Sequence, residues 1–284
     1  MNDGELIRSL RINRGLTQEQ LARNISPRST LASFELNDTH LPVQLFIAYC
    51  HRLNISLEEY EFMRENSQLS SKRHCSVLVH RSFAAPYNDE ISCELLRNYR
   101  QTNDFFYYSL YAQYYLVCGY RARLQDVDPG WYSVDSANAI KEKITTYLET
   151  VDTWNRFEVV LFYNCLFVFS EEYIRVKFKR VILKTRAYID NPNYSKDILN
   201  FLLNGIQLAI DRNDPDNYEL FHKELLDTSK TYNDFALNLH LCVYDAIMAG
   251  RLGVNVTDVV AELKYVLKFC GASELLNFLE QQYK

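Results

Sequence analysis

The side chains best suited to binding chemistry lie on one face of a short helix that is predicted in the stretch 17–35. Arg28, Ser29 and Ser33 share this face, and the apolar residues of the helix lie on the opposite side. Guanidinium and hydroxyl groups form hydrogen bonds with base edges, and a helix with small side chains fits the major groove of duplex DNA. The pattern therefore predicts DNA recognition, with Arg28 as the residue for a guanine contact. The alternative for the two serines is that they make no base contact and are only small enough to let the helix fit into the groove.

Basic and amide side chains upstream of this helix suit the DNA backbone. Arg8, Arg11, Arg14 and Gln18 are predicted to contact phosphates and so to position the helix over the bases. The whole chain has a formal net charge of −5, and residues 1–66 carry seven arginines against nine acidic residues. The bulk charge does not indicate a nucleic-acid-binding protein, so the prediction depends on the concentration of arginines near the N-terminus.

Local signals place these side chains on two short helices that are joined by a tight turn. Thr17 is a predicted N-cap, and Gln20 completes a capping box three residues later. Residues 23–25 form the turn, and Ser26 is predicted to cap the next helix with Pro27 in its first position. This order of signals is typical of a helix-turn-helix.

Three further helices complete a compact N-terminal bundle. The first covers residues 5–14 and ends at Gly15, which can adopt the positive φ of a helix C-terminus. A fourth helix begins at residues 42–43, and a fifth begins at Ser56, which opens a second capping box. Five short helices of this kind can enclose one small core.

The composition is that of a globular, helical protein. The 284 residues are 48% hydrophobic and include only 8 Gly and 6 Pro, and apolar residues recur at helical spacing between these breaks. The sequence has no apolar run long enough for a membrane span and no signal peptide at its N-terminus, so a cytoplasmic location is expected. The seven scattered Cys include no C-x-x-C pair and are expected to be free, buried thiols.

The C-terminal part of the chain is predicted to be a stack of helices. About eleven helical segments follow residue 67, and no stretch has the alternating pattern typical of a strand. We therefore predict an all-α fold, with an N-terminal five-helix bundle followed by a tetratricopeptide-like helical-repeat domain. The polar residues 67–76 are the predicted linker between a domain at 1–66 and a domain at 77–284.

Three asparagines inside apolar helical segments form a weak repeat. Asn164, Asn204 and Asn238 are separated by 40 and 34 residues, which is near the period of helical repeats. Asparagine is unfavourable inside a helix, but its amide can pair with both the N–H and the C=O of an extended peptide. A row of such amides predicts a binding surface for a peptide main chain. The alternative is that each amide bonds a neighbouring helix or turn.

Arg156 stands at the start of a very apolar helix, 157–169, where it could clamp a carboxylate through two parallel hydrogen bonds. An ordinary salt bridge or a solvated helix start is the alternative. Farther along, the basic segment 175–186 could meet an acidic peptide or DNA phosphates, although such a run is usually a solvated face.

The sequence lacks common catalytic motifs. It contains no Gly-rich phosphate loop, no H-E-x-x-H and no G-x-S-x-G. Its adjacent Cys and His residues, at 50–51 and 74–75, point in different directions on a helix, so neither pair is a good nucleophile with its base. We therefore expect a protein that is not an enzyme and has no cofactor and no metal site.

Two parts of the sequence resemble a known family of regulators. Residues 10–22, 33–35 and 53–60 look like the lambda-repressor/Cro-like DNA-binding module and, more narrowly, like that of the Rgg-type regulators of Gram-positive bacteria. Residues 153–164 are similar to a segment of the Rgg C-terminal domain. The resemblance implies a cytoplasmic, homodimeric transcription regulator of the quorum-sensing type. Such a regulator would bind near-palindromic duplex DNA and a short apolar signalling peptide.

The same resemblance adds candidates for peptide binding. It implies that residues of the segment 153–164 take part, which brings Asn155 and Arg156 into the set with the three asparagines. The alternative to a peptide-responsive regulator is a constitutive DNA-binding scaffold whose helical-repeat domain binds another protein.

The chain also departs from the pattern of the family. Ser33 stands where family members often have a basic residue, and residues 36–37 are Leu-Asn where Arg-Gly is common. Two DNA contacts that are expected in such relatives are therefore missing from this chain. Val43 occupies the position of a cysteine that links two subunits in some members, and Cys50 lies two turns farther along the same helix, so we expect no such bridge.

Overall fold

In the computed structural model, every regular element of the described residues is a helix. The structure describes residues 2–64, 71–125, 127–186, 192–232 and 235–283. Within these ranges there are sixteen α-helices, one short 3-10 helix at Leu166–Val168 and no strand. The predicted all-α fold class is confirmed, and eleven of the α-helices follow residue 67.

The helices fall into two compact units, Met1–Leu110 and Tyr111–Lys284, and the boundary lies within α8. The bounds of the helices are α1 Asp3–Asn13, α2 Gln18–Ala22, α3 Arg28–Asn37, α4 Val43–Arg52, α5 Leu57–Arg64, α6 Ser71–Ser82, α7 Asp89–Thr102, α8 Phe105–Leu124, α9 Val134–Thr150, α10 Arg156–Asn164, α11 Glu171–Arg186, α12 Pro192–Arg212, α13 Pro215–Tyr232, α14 Phe235–Arg251, α15 Thr257–Phe269 and α16 Ser273–Gln282.

The predicted domain boundaries at 1–66, 67–76 and 77–284 stay a prediction. Residues 67–70 of the proposed linker lie outside the described ranges, and residues 71–76 form the start of α6. Among the described helices, none combines the length and the apolar character that a membrane crossing requires.

The first five helices enclose one small core. Ile7, Leu21, Leu31, Tyr49 and Leu53 are fully buried in it. Burying one such aliphatic side chain contributes roughly 1.5–3 kcal/mol. This packing holds α3 by its apolar underside and leaves its other face toward solvent.

Local hydrogen bonds close the helix-turn-helix largely as predicted. At the start of α2, the Gln20 N–H donates to Thr17 Oγ1 over 3.1 Å, and the Thr17 N–H donates to Gln20 Oε1 over 2.7 Å. Gly15 has a φ of 65° after α1, and Asn24 has a φ of 60° in the turn before α3. The capping box that begins at Ser56 is also present. The four signals are short in range, so the sequence suffices to predict them.

The predicted cap of α3 is wrong. The helix begins at Arg28, and Pro27 rather than Ser26 occupies its N-cap position, without a side-chain hydrogen bond. The Ser26 hydroxyl lies 2.5 Å from the Tyr49 hydroxyl and donates to the Pro27 carbonyl over 3.0 Å. Because these contacts occupy Ser26, its hydroxyl ties the turn to α4 instead of capping α3.

Aromatic side chains fill the centre of the second unit. Phe201 of α12 packs against Phe162, Phe178 and Phe221, with ring centroids 6.0, 5.7 and 5.0 Å away. Gly205 lies one turn farther along α12, where a Cβ atom would come within 2.1 Å of the Phe221 ring. The glycine therefore permits the close approach of α12 and α13.

Candidate functional site

The outer face of α3 carries the three side chains that were predicted to lie there. Arg28 and Ser29 are exposed, and Ser33 is half-buried. Leu31 and Phe34 lie on the underside, at 0% and 4% exposure. The helix is thus fixed from below, and its hydrogen-bonding groups can meet a ligand from above.

Arg11 is directed into the bundle rather than toward solvent. Its Nε donates to Glu35 Oε1 over 2.6 Å, and its Nη2 donates to Glu35 Oε2 over 2.7 Å. Its Nη1 donates to the Leu16 carbonyl over 2.7 Å. The hydrogen bonds and the charge of Glu35 raise the pKa of Arg11, against the opposing effect of burial. With its nitrogens held by internal acceptors, Arg11 is poorly placed for the phosphate contact that was predicted for it.

A chain of polar contacts connects this ion pair to the outer face of α3. Gln18 Nε2 donates to Glu35 Oε2 over 2.9 Å, and Arg28 Nε donates to Gln18 Oε1 over 3.3 Å. Glu35 therefore orients Gln18, and Gln18 orients Arg28. No pattern in the sequence predicts this role of Glu35. The inward direction of Arg11 could have been noticed, because Arg11 lies one turn after the fully buried Ile7.

Arg52 of α4 was also missed, and it holds the end of α2. Its Nη1 donates to the carbonyls of Leu21 and Gln20 over 3.2 and 3.4 Å, and to the Arg23 carbonyl. The last carbonyls of a helix have no partner within the helix, so a cation there satisfies them and opposes the negative end of the helix dipole. Arg52 thereby fixes the turn that leads to α3.

The other arginines predicted to contact phosphates lie on α1 and at its C-cap. Arg8 and Arg14 are both exposed. Arg14 Nη1 donates to the Leu10 carbonyl over 3.2 Å, which leaves its other nitrogens for a ligand.

In the second unit, Arg156 clamps a carboxylate that belongs to the protein itself. Its Nε donates to Asp197 Oδ2 over 2.6 Å, and its Nη2 lies 3.3 Å from Asp197 Oδ1. Asp197 is only 3% exposed, and it also accepts a hydrogen bond from the Tyr163 hydroxyl over 3.3 Å. Burial, followed by the charge of Asp197, raises the pKa of Tyr163 to about 12. The salt bridge that was the alternative is therefore present, although half of the Arg156 side chain stays exposed.

The predicted asparagines have different surroundings. The Asn155 N–H donates to Glu158 Oε2 over 2.8 Å at the start of α10, and Asn164 Nδ2 donates to Gln113 Oε1 over 2.7 Å. Asn204 and Asn238 are exposed on α12 and α14. Only Asn164 thus has its side-chain amide bound to a distant helix, whereas Asn155, Asn204 and Asn238 are exposed residues.

At least three of the six basic residues in the segment 175–186 pair with neighbouring acids. Ion pairs join Arg175 to Asp216, Lys177 to Glu149 and Arg186 to Glu224, with N–O distances of 3.3, 2.8 and 2.5 Å. These contacts agree with a solvated structural face better than with a binding patch.

The cysteines form no disulfide, and only some of them are buried. Cys50, Cys75 and Cys165 are buried, whereas Cys93, Cys242 and Cys270 are exposed, which corrects the expectation of buried thiols. Burial raises the pKa of Cys50 to about 11, so its thiol stays protonated near neutral pH. No cluster of His, Cys, Asp or Glu suited to a metal ion occurs within the described residues.

Comparison with known protein families matches both parts of the chain. Residues 7–60 match a family described as helix-turn-helix, and residues 91–248 match the C-terminal domain of the HTH-type transcriptional regulator Rgg. The second match covers more than half of the chain.

Similar solved structures extend over nearly the whole length of the chain. The SHP pheromone receptor Rgg2 of Streptococcus dysgalactiae is 16% identical, with a TM-score of 0.68 over 99% of this chain and 98% of that one. A protein from Listeria monocytogenes EGD-e is 20% identical, with a TM-score of 0.73 and the same coverage of both chains. The PrgX/cCF10 complex is 15% identical, with a TM-score of 0.69 over 99% of this chain and 90% of that one. At these identities the likeness shows a shared fold.

Proposed function

Since the chain belongs to the Rgg family of helix-turn-helix transcriptional regulators, we propose that it acts in the cytoplasm as a homodimer that binds a near-palindromic DNA site and responds to a short apolar signalling peptide. The family consists of DNA-binding regulators and not of enzymes. The observation that carries the proposal is the exposed face of α3, which is anchored from below and oriented by the contacts among Arg28, Gln18 and Glu35.

Base recognition is proposed for three residues of that face. Arg28 is the residue for a bidentate contact with guanine, and Ser29 and Ser33 would approach neighbouring base edges. Gln18, which is half-buried and bonded to Glu35, would orient Arg28 and lie next to the phosphate backbone of the DNA. These roles agree with exposure and hydrogen bonding in this part of the bundle.

Phosphate contacts are proposed for Arg8 and Arg14, whose guanidinium groups are exposed. For Arg11 we propose a positioning role, because its three hydrogen-bonding nitrogens are bound to Glu35 and Leu16. Few phosphate contacts imply weak binding by one module. A two-fold dimer would add a second set and would place two recognition helices about 34 Å apart on the DNA.

Peptide binding is proposed for the helical second unit. The PrgX/cCF10 complex and a receptor for the SHP pheromone share the fold of this chain. Asn204 and Asn238 are exposed and would pair with a peptide main chain, and Asn155, Arg156 and Asn164 would contribute after their internal contacts rearrange. A bound peptide can shift a dimer between two arrangements only by its difference in affinity for them.

The proposal is tested with the purified full-length protein. A preferred site is first selected from random duplex DNA, and its affinity is measured by fluorescence anisotropy. Synthetic peptides encoded by short open reading frames beside the gene are then added, and thermal melting is followed in parallel. We expect one apolar peptide to raise the melting temperature and to change the DNA affinity.

Two other outcomes would contradict this function in different ways. Selection that yields no preferred sequence would remove specific DNA recognition by α3. Specific DNA binding without any response to the peptides would instead support the constitutive scaffold, whose helical unit binds another protein.

A further inference from the structure

A cavity of about 460 Å³ opens in the second unit, and none of the candidate residues above lines it. It lies among α8, α9 and the 3-10 helix, and its apolar base includes the buried Leu116 and Ala137. Its volume falls in the range of sites that hold small ligands or single side chains of a partner.

The walls of the cavity are aromatic and are fixed by neighbouring contacts. Tyr120 of α8 stacks on Phe167 of the 3-10 helix, with ring centroids 4.6 Å apart. The opposite wall is Tyr132, which stacks on Tyr115 with centroids 5.4 Å apart. Gly119 makes room for Tyr132, because a Cβ atom there would lie 2.1 Å from that ring. The aromatic walls are therefore formed before any ligand binds.

Two cations and the Asn138 amide add polar groups to this aromatic lining. Arg123 of α8 and Lys141 of α9 are both exposed, and both line the cavity. Neither forms an ion pair with another described residue, and the described lining contains no carboxylate. Because Arg123 and Lys141 both line the cavity, an anion bound there would offset their like charges.

We propose that the cavity binds the C-terminal residue of the signalling peptide. Arg123 and Lys141 hold its terminal carboxylate, and its apolar side chain packs between Tyr120 and Phe167. The inference rests on the proposed peptide response and adds the site at which the end of the peptide is recognised.

The position of the cavity agrees with this assignment. Asn164, a proposed contact for the peptide main chain, is bonded to Gln113 of α8. Phe167 follows Asn164 by three residues and contacts the same helix through Tyr120. Asn164 and the cavity wall Phe167 thus contact α8 at Gln113 and Tyr120, which lie seven residues apart on that helix.

The test compares two probes that differ only in the terminal charge. The N-acetylated tetrapeptide glycyl-valyl-leucyl-phenylalanine is prepared as the free acid and as the C-terminal amide, and binding to the full-length chain is measured by ligand-observed NMR. We expect the acid to bind at least about tenfold more tightly than the amide. Lys141→Ala and Arg123→Ala should each abolish most of this preference. Lys268→Ala, which removes an exposed lysine from α15, should leave it unchanged.

Several results would overturn the inference. Equal binding of acid and amide, or no binding of either, removes the carboxylate site. Competition by inorganic phosphate as strong as that of the acid would show a general anion site rather than a peptide terminus. Circular dichroism verifies that each variant is folded.

Failure of this inference can be distinguished from failure of the proposed function. If a natural peptide raises the melting temperature of Lys141→Ala as much as that of the unmodified chain, the regulator binds peptide and the cavity is not its C-terminal site. If no natural peptide acts on the unmodified chain, the proposed peptide response itself is wrong.

Discussion

Arg11 and Glu35 are joined by two charge-assisted hydrogen bonds, at 2.6 and 2.7 Å, although they are 24 residues apart and belong to α1 and α3. Both residues are buried, at 9% and 4% exposure. Glu35 also accepts the Gln18 amide, so one carboxylate connects the first three helices. The orientation of the DNA-facing helix thus depends on a pair that need not touch DNA.

Removing one partner of this pair should destabilise the N-terminal bundle strongly. Glu35→Leu would leave the Arg11 guanidinium buried without its anion, at an expected cost of about 3–5 kcal/mol in the free energy of unfolding. Arg11→Met combined with Glu35→Leu should recover much of that loss, because no charge then remains unpaired. Urea unfolding followed by far-ultraviolet circular dichroism measures both. A double variant no more stable than Glu35→Leu would show that the pair does not act as a unit.

Arg28 and Gln18 should differ in their effects on DNA binding. Arg28→Ala should cost about 1–3 kcal/mol and relax the preference at one base pair. Gln18→Ala should relax the preference at the same base pair more weakly, because Arg28 remains and loses only the hydrogen bond of 3.3 Å that orients it. Fluorescence anisotropy across single-base variants of the selected site measures these preferences.

The control for these variants is Arg100→Ala, which removes an exposed arginine from α7. It should leave the base preference unchanged. Uniform weakening across all sites by Arg28→Ala would make this residue a phosphate contact instead.

The sequence was informative where a structure depends on neighbours along the chain. The capping box at Thr17 and Gln20 and the glycine that ends α1 follow from spacings of a few residues, and both are present. The apolar underside of α3 follows equally from its helical period. Such features need no knowledge of the tertiary fold.

Contacts between distant residues could not be obtained in this way. From the sequence, Arg11 is predicted to be a surface cation, but α3 places Glu35 beside it in the fold. Arg156 is predicted to bind a ligand carboxylate, but α12 places Asp197 beside it from 41 residues away. The charge of a side chain is known from the sequence, but its ion-pair partner depends on how the helices pack. The cavity lined by Arg123 and Lys141 was missed for the same reason.

Gly205→Ala should loosen the contact between α12 and α13. The new Cβ atom would lie 2.1 Å from the Phe221 ring, which is fully buried and has little room to move. Overpacking of this kind costs about 1–3 kcal/mol. Thermal melting should therefore show a lower transition temperature, and adding Phe221→Leu should reduce the penalty of the glycine substitution. A Gly205→Ala variant as stable as the unmodified chain would show that α13 can shift freely.

Asp104 should contribute a small part of the stability that is lost in acid. The hydrogen bond from Lys72, over 2.5 Å, lowers the pKa of Asp104 despite the opposing effect of burial. Because the folded pKa is below the unfolded value of about 3.9, this contribution is complete above that value and disappears as the pH falls through the folded pKa. The pair is partly exposed, so we expect less than about 1 kcal/mol.

Urea unfolding of Asp104→Asn at two pH values tests this contribution. The variant should be less stable than the unmodified chain at pH of about 7, and this difference should shrink as the pH falls through the lowered pKa of Asp104 in the folded state. A difference that stays constant over this range would mean that the charge of Asp104 does not contribute.

The two roles of Arg156 can be separated by changing its internal partner. Arg156→Ala leaves the buried Asp197 carboxylate without its cation, so this variant should lose stability. The loss of stability would weaken the peptide response even if Arg156 did not contact the peptide. Adding Asp197→Asn removes the charge and keeps an acceptor for the Tyr163 hydroxyl, which now lies 3.3 Å from Asp197 Oδ1. Thermal melting should show that the double variant regains most of the lost stability.

The peptide response of this double variant then decides the role of Arg156. Half of the Arg156 side chain is exposed, and its Nη1 has no hydrogen-bond partner among the described residues, so the guanidinium can still reach a ligand. We expect the stable double variant to bind the natural peptide at least about tenfold more weakly than the unmodified chain, since a hydrogen bond to a charged group is lost. Full peptide affinity in that variant would leave Arg156 with only its structural bond to Asp197.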